Sequence, residues 1–267
     1  MIFSHSRIEC FEKCPRCFKY KYIKKVPELF DTVERFMGSR VHEALEGLYA
    51  SVKAGGLPPL NEVLGSYNRL WERNFTDDVV VNGEGKTHAD YMIVGERCIS
   101  DYYTRHEPFN QADIISCEMR INADLLGDGN YKLVGFIDRV DRRGDGCLEI
   151  HDYKTGKRVP SQNKVDSDRQ LAIYEIGLRQ KFNNLEDVEY VWHYLAHDRM
   201  LRSKNTPDEL ETQKNGIIKS IHQIEECIVE DWFPPKKTPR CAWCEYKSIC
   251  DGDDNSNALR QSRINDF

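Results

Sequence analysis

Residues 131–154 read YKLVGFIDRVDRRGDGCLEIHDYK. Two runs rich in apolar and β-branched residues, 131–142 and 147–154, flank the turn signal R-G-D-G, so the stretch reads as a β-hairpin centred on Asp145. Asp138 and Asp152 lie equally far from that centre, which predicts them opposite each other. Side chains alternate along a strand, so Asp152 and Lys154 share a face. Two carboxylates and an amine then converge, which suits a hard divalent cation with a positive group beside it. Hydrolysis of a phosphodiester calls for that set. A carboxylate-held metal acidifies a water and offsets charge, and a lysine steadies the developing negative charge. Taken alone, an Asp–Lys pair is also ordinary on a surface hairpin, and residues outside it decide between the readings.

Working outward, 38–53 (GSRVHEALEGLYASVK) carries apolar Val41, Ala44, Leu45, Leu48 and Val52 at helical spacing, with His42 at the edge of that face. Downstream, Gln170 and Tyr174 are spaced i, i+4 in DRQLAIYEIGL, so they share one face of a helix. Upstream, IISCEMRI reads as a strand bearing Glu118.

The order G-x-x-x-H, G-x-x-D, D-x-K, Q-x-x-x-Y resembles the PD-(D/E)XK nuclease superfamily. Its RecB-like branch, with CRISPR-associated exonucleases and AddB-type nuclease domains, is the nearest likeness. The resemblance implies an α/β, restriction-endonuclease-like core: a central mixed sheet flanked by helices, with a helical insertion and a cysteine-ligated Fe–S cap joining the N- and C-terminal segments. It implies that His42, Asp138 and Asp152 bind Mg²⁺ or Mn²⁺ with the Tyr153 carbonyl, and that Lys154 is the catalytic lysine. Gln170 and Tyr174 would support the catalytic site or touch DNA, and Glu118 would be accessory.

Cysteines form a second constellation. Cys241, Cys244 and Cys250 lie close together among polar residues, and Cys10, Cys14 and Cys17 lie near the N-terminus. Four thiolates suit Zn²⁺ or a [4Fe–4S] cluster. Cys14 and Cys17 with Cys241 and Cys244 make two zinc-like knuckles. Cys14 with Cys241, Cys244 and Cys250 matches the iron–sulfur arrangement of the resembled families, whose single cysteine lies in a C-P-x-x-[FY] segment like 14–18 here. The resemblance favours the cluster, with Zn²⁺ as the alternative. Cys17 departs from that pattern, and Cys10 has no role in it. Cys98, Cys117, Cys147 and Cys227 read as small buried hydrophobes.

The chain has 267 residues, 40% of them hydrophobic and 31% charged, room for one large domain. No run is long and apolar enough to span a membrane, and MIFSHSRIEC lacks the features of a secretory signal. Clustered cysteines without such a signal place the protein in a reducing, cytoplasmic compartment. A net charge of −6 runs against nucleic-acid binding, since phosphate contacts supply most non-specific affinity. Locally, however, 13–25 (KCPRCFKYKYIKK) is basic and interleaved with aromatics, a composition suited to single-stranded DNA. Arg16, Lys19 and Tyr20 are the candidate DNA contacts there, and Lys157 and Arg158 beside the catalytic strand are two more.

Residues 1–250 read as a single nuclease domain. Within it, 55–112 is a helical insertion, and 3–25 with 231–250 form the cap; 251–267 is a polar, disordered tail. Ser6 and Glu9 suggest a capping box opening a first helix. Helices are expected over 61–75, 89–105 and 206–230, strands over 114–122 and 188–197, and a loop over 156–168. The resemblance implies a metal-dependent DNA exonuclease acting on single-stranded DNA with a free end, 5′→3′ as in the CRISPR-associated relatives. No G-x-x-x-x-G-K-[ST] pattern occurs, so a motor would come from a separate protein. Other classes stand beside this reading: a nuclease subunit partnered by a helicase or by CRISPR adaptation proteins, a silent Fe–S DNA-binding subunit, and a zinc-stapled interaction domain.

Overall fold

The computed structural model describes residues 2–81, 85–182, 185 and 187–251. The polar tail expected from 251 onward therefore lies, but for Asp251, outside the described residues. In chain order the helices are α1 (His5–Lys13), α2 (Pro15–Phe18), α3 (Val33–Lys53), α4 (Leu60–Asn74), α5 (His88–His106), α6 (Gln162–Asp166), α7 (Arg169–Lys181) and α8 (Pro207–Val229). The strands are β1 (Asp31–Thr32), β2 (Val79–Val80), β3 (Asp113–Asp124), β4 (Lys132–Arg142), β5 (Leu148–Lys154), β6 (Val188–Tyr194) and β7 (Arg199–Ser203). The chain divides into two compact units, residues 1–3 with 31–216, and residues 4–30 with 217–267.

The first unit holds a mixed five-stranded sheet in the order β3-β4-β5-β6-β7. β4 pairs antiparallel with both β3 and β5, β5 and β6 pair in parallel, and β7 returns antiparallel to β6. A parallel pair needs a crossover connection, and α6 and α7 supply it. The fold is thus the α/β arrangement expected, a mixed sheet flanked by helices.

The expected hairpin forms with Arg139 opposite His151 and Arg142 opposite Leu148, the register that sets Asp138 against Asp152. The expected strand over 188–197 is shorter. β6 ends at Tyr194, a 3₁₀ turn covers Leu195–His197, and Asp198 turns the chain in the left-handed region (φ 46°). The unforeseen β7 follows; its exposed Arg199, Met200 and Arg202 hid an edge strand from a hydrophobicity reading.

α3 begins before the glycine that opens the expected helix. Thr32 caps it by accepting from the Arg35 N–H, and Val33, Met37, Val41, Leu45 and Leu48 form its buried stripe. That stripe packs with Tyr67 and Trp71 of α4 and Ile99 and Tyr102 of α5 into one core cluster. The polar loop expected over 156–168 contains the short helix α6.

In the second unit α1 is capped by Ser4, whose hydroxyl accepts from the Arg7 N–H, rather than by a Ser6–Glu9 box. Ser6 Oγ instead bonds Ser4 Oγ at 3.0 Å. Phe18 packs edge-on to Phe11 and stacks on Phe233, while Tyr20 lies against Tyr246. Ile217, Ile221 and Ile224 of α8 are buried, and Ser220 Oγ donates to Glu12 at 2.5 Å. Segments from both ends of the sequence therefore make one hydrophobic body.

Candidate functional site

Asp138 on β4 is the hub of the site. Its Oδ2 accepts the Tyr153 N–H at 2.7 Å and lies 3.5 Å from His42 Nδ1. The other imidazole nitrogen, Nε2, lies 2.9 Å from the Tyr153 carbonyl oxygen. Both partners of the ring are acceptors, so the imidazolium satisfies both. Burial disfavours that charge on His42, but Asp138, and Asp152 beyond it, outweigh burial and hold the pKa above the usual value. Burial likewise opposes the charge on Asp138, and His42 with the Tyr153 N–H keeps its pKa low.

Glu118 completes the group. Ligand-type atoms of His42, Glu118 and Asp138 all lie within 4.8 Å of one another. Glu118 occupies the left-handed region at φ 46°, strain uncommon for a residue with a side chain. β3 carries a register shift between Ile114 and Ser116, just upstream. Burial, then the nearby Asp138, raise the Glu118 pKa against the opposing pull of His42. An imidazole nitrogen and carboxylate oxygens suit Mg²⁺ or Mn²⁺. His42 and Glu118 line an open cleft of about 450 Å³, walled also by Gly38, Ser39, Glu46 and Thr155.

Asp152 and Lys154 face each other beside this group, with Lys154 Nζ 2.7 Å from Asp152 Oδ2. Burial raises the Asp152 pKa despite the lysine, while for Lys154 the adjacent carboxylate outweighs burial and holds its pKa up. Gln170 ties the pair to α7. It accepts from Lys154 Nζ at 3.4 Å, and its Nε2 donates to Asp152 Oδ1 at 3.2 Å and to the Tyr174 hydroxyl at 2.7 Å. Asp168 caps α7 by accepting from the Gln170 N–H, fixing where that side chain starts. Lys154 also sits 5.0 Å over the Trp192 ring.

Sequence reasoning missed what lies on the opposite face of the hairpin. Arg139 is buried there; its Nε donates to both Asp141 oxygens at 3.1 and 3.0 Å, and its Nη1 to the hydroxyls of Tyr102 and Tyr153. Its guanidinium lies 3.8 Å from the centre of the Tyr49 ring. Asp141, Glu149 and His151 also bring ligand-type atoms within 4.8 Å, but both carboxylates already bond arginines, Arg139 and Arg202. That set is a charge-balanced ion network. The signal was present: in D-R-V-D-R, Arg139 and Asp141 alternate with the apolar face, on a side that helices then cover.

The DNA-contact candidates fare unevenly. Tyr20 is 1% and Arg16 7% exposed. Tyr20 packs its ring on Tyr246, so no base can stack on it, and Arg16 points Nη1 at Cys250 Sγ, 3.9 Å away. Lys19 is paired with Asp231 and Lys157 with Glu34, and Arg158 is exposed. Of the aromatic rings of 13–25, Phe18 and Tyr20 are built into the core of the second unit and offer no face to nucleic acid, and Tyr22 is half-buried.

In that unit the cysteines of the two chain ends gather. Cys14 Sγ accepts the Lys236 N–H at 3.4 Å, and Cys241 Sγ accepts the Thr238 N–H at 3.4 Å. Cys17 lies 3.9 Å from Cys10 and also contacts Cys244. Main-chain N–H groups aimed at sulfur stabilise thiolates and fit metal or cluster ligation. The sulfur contacts thus run from Cys17 to Cys10 and Cys244, and among the described residues no three cysteines bring their sulfurs within 4.8 Å of one another.

Residues 2–251 match the family model of the PD-(D/E)XK nuclease superfamily. Among curated proteins, a subunit of the ATP-dependent helicase/deoxyribonuclease of Clostridium perfringens is 23% identical over 85% of this chain. The chain spans only 22% of that relative's length. Among solved structures, an exonuclease candidate from Eubacterium rectale superposes with a TM-score of 0.55 at 12% identity, covering 92% of this chain and 87% of the other. No helix among the described residues is long and apolar enough to cross a membrane.

Proposed function

Because the chain belongs to the PD-(D/E)XK nuclease superfamily, we propose that it is a divalent-metal-dependent DNA exonuclease acting on strands with a free end, single-stranded DNA above all. The observation that carries this reading is the convergence of His42, Glu118 and Asp138 within 4.8 Å, beside the Lys154–Asp152 pair. His42, Asp138, Asp152 and the Tyr153 carbonyl, joined by Glu118, would hold Mg²⁺ or Mn²⁺, which when bound acidifies water and offsets phosphate charge.

The remaining chemistry belongs to the chain. Lys154, charged and anchored by Asp152 and Gln170, sits where a phosphate gathering negative charge would be stabilised without reorganisation. His42 has Nδ1 3.5 Å from Asp138 and Nε2 2.9 Å from the Tyr153 carbonyl oxygen, so its ring is held between two of the groups that would share the metal. Gln170 and Tyr174 keep Asp152 from turning away. Arg158, exposed beyond the catalytic strand, is the candidate for phosphate contact.

The second unit, in this reading, is a cap in which Cys14, Cys241, Cys244 and Cys250 ligate a structural [4Fe–4S] cluster. The N–H···S bonds to Cys14 and Cys241 support it, and Zn²⁺ on the two knuckles is the alternative. The cap and the first unit together would form the single nuclease domain expected over 1–250, in a reducing cytoplasm. A second reading makes the chain a nuclease partnered by a separate helicase. It is favoured by the likeness to the Clostridium perfringens helicase/deoxyribonuclease component, of which this chain spans about a fifth.

The test is cleavage of end-labelled single-stranded and duplex DNA with Mn²⁺ or Mg²⁺, using protein purified without oxygen. Metal-dependent degradation that disappears in Asp138→Ala is expected, and the label position reports polarity. An iron-replete wild type that leaves both substrates intact would point to the partner-dependent reading or to a silent binding subunit.

A further inference from the structure

Pairing of β4 with β5 stops just short of the catalytic residues, at Arg139 and His151. Tyr153, the residue between Asp152 and Lys154, is held from the β4 side by side chains instead. Asp138 Oδ2 accepts its N–H at 2.7 Å, and Arg139 Nη1 donates to its phenol oxygen at 2.6 Å. From α3, His42 Nε2 lies 2.9 Å from its carbonyl oxygen. Neighbouring residues on a strand point to opposite faces. Asp138 and Arg139 therefore grip one residue from the two sides of the sheet.

Arg139 is itself immobile. It is 3% exposed, and Asp141, the Tyr102 hydroxyl and the Tyr49 ring surround it. Tyr153 is likewise buried, at 4%. A buried guanidinium is a poor way to gain stability, because well-packed apolar side chains of equal volume serve as well or better. It does provide a planar fork whose donors meet their acceptors in one geometry only.

We propose that Arg139 is a positioning residue for the divalent-metal site. Through the Tyr153 phenol it fixes the D-Y-K segment along β5, and with it the places of Asp152, Lys154 and the Tyr153 carbonyl relative to Asp138 and His42. The inference rests on the metal-nuclease reading above.

Mn²⁺ binding to the purified full chain, followed by calorimetry without DNA, tests it independently of turnover. Asp138→Ala identifies the heat that belongs to this site. Tyr153→Phe removes the phenol that Arg139 grips. Tyr49→Phe removes a buried hydroxyl of the same network, which bonds Tyr102 at 2.6 Å, and keeps the ring under Arg139. Tyr153→Phe should weaken Mn²⁺ binding by about 10-fold or more, the usual effect of removing an outer support of a metal site. Tyr49→Phe should bind like wild type. Arg139→Lys keeps the charge but not the fork, and should weaken binding as Tyr153→Phe does, so the test stands on whichever variant keeps a cooperative melt. Wild-type affinity in Tyr153→Phe, or equal weakening in Tyr153→Phe and Tyr49→Phe, would overturn the positioning role. Absence of any wild-type heat sensitive to Asp138→Ala would instead overturn the metal-site reading, and the inference with it.

Discussion

Replacing Gly135 with alanine should damage the proposed active site without altering any of its proposed metal ligands or Lys154. A Cβ at Gly135 would stand 2.8 Å from Tyr174 Cε1, 3.2 Å from Tyr174 Cδ1 and 3.3 Å from Ile121 Cδ1. Carbon atoms pack at about 3.5–4.0 Å, so the tyrosine ring must retreat by about 0.7 Å. Overpacking of this kind costs about 1–3 kcal/mol. The ring cannot retreat freely, because its hydroxyl accepts from Gln170 Nε2 at 2.7 Å, and the same nitrogen donates to Asp152. Stretching the first bond by the same amount brings it near the limit of a useful hydrogen bond, about 3.4 Å. Displacements of this order near a reacting centre cost up to about 100-fold in rate. Single-turnover cleavage and a thermal melt should therefore fall together in Gly135→Ala. The decisive comparison is a double-mutant cycle. In a Tyr174→Ala background, where the ring is gone, Gly135→Ala should cost almost nothing further. An equal loss with and without the ring would show that the glycine serves the backbone rather than the tyrosine, and would refute the reasoning.

Three further outcomes are expected. Lys154→Ala should lower the single-turnover rate by about 10²–10³-fold while DNA binding survives, as for loss of one transition-state charge stabiliser; a wild-type rate would remove the catalytic assignment. His42 has its pKa raised on folding by Asp138. Its stabilising share in metal-free protein is thus complete below the unfolded value of about 6.5 and is lost as pH rises through the folded value. Melts of wild type should decline over that window more steeply than melts of His42→Gln, and parallel curves would contradict the pairing. Cys14→Ser should lower the melting temperature and the iron content more than Cys17→Ser, whereas the reverse order with zinc retained would assign the two-knuckle site.

The hairpin was legible because its signals are local: a turn with glycines, alternation on both sides, and symmetry about Asp145. Register follows from that symmetry, so the facing of Asp138 and Asp152 needed no tertiary information. The shared face of Gln170 and Tyr174 followed from helical spacing in the same way. The position of Glu118 was not legible, since it depends on a left-handed residue in a strand whose sequence reads as regular. Nor was the burial of Tyr20 and Arg16. A basic stretch with aromatics has the same composition whether its rings meet nucleotides or Phe233 and Tyr246, and only the partner segment from the far end of the chain decides. The Arg139 network escaped for a related reason: charged residues on a strand suggest solvent until a helix is known to cover them.

The second unit draws on residues 4–30 and on residues from 217 onward, which sets a timetable. On a ribosome adding about 5–20 residues per second, roughly 200 residues separate the emergence of its two halves, a wait on the order of 10–40 s. The five-stranded sheet lies wholly within the intervening chain and can form during that interval. Cys10, Cys14 and Cys17 emerge before Cys241, Cys244 and Cys250 and stand without them throughout that interval. A metal or cluster held by cysteines of both segments, as proposed above, would have to wait for the second of them, and each nascent chain passes through a period when its early thiols are open to scavenging metals and oxidants.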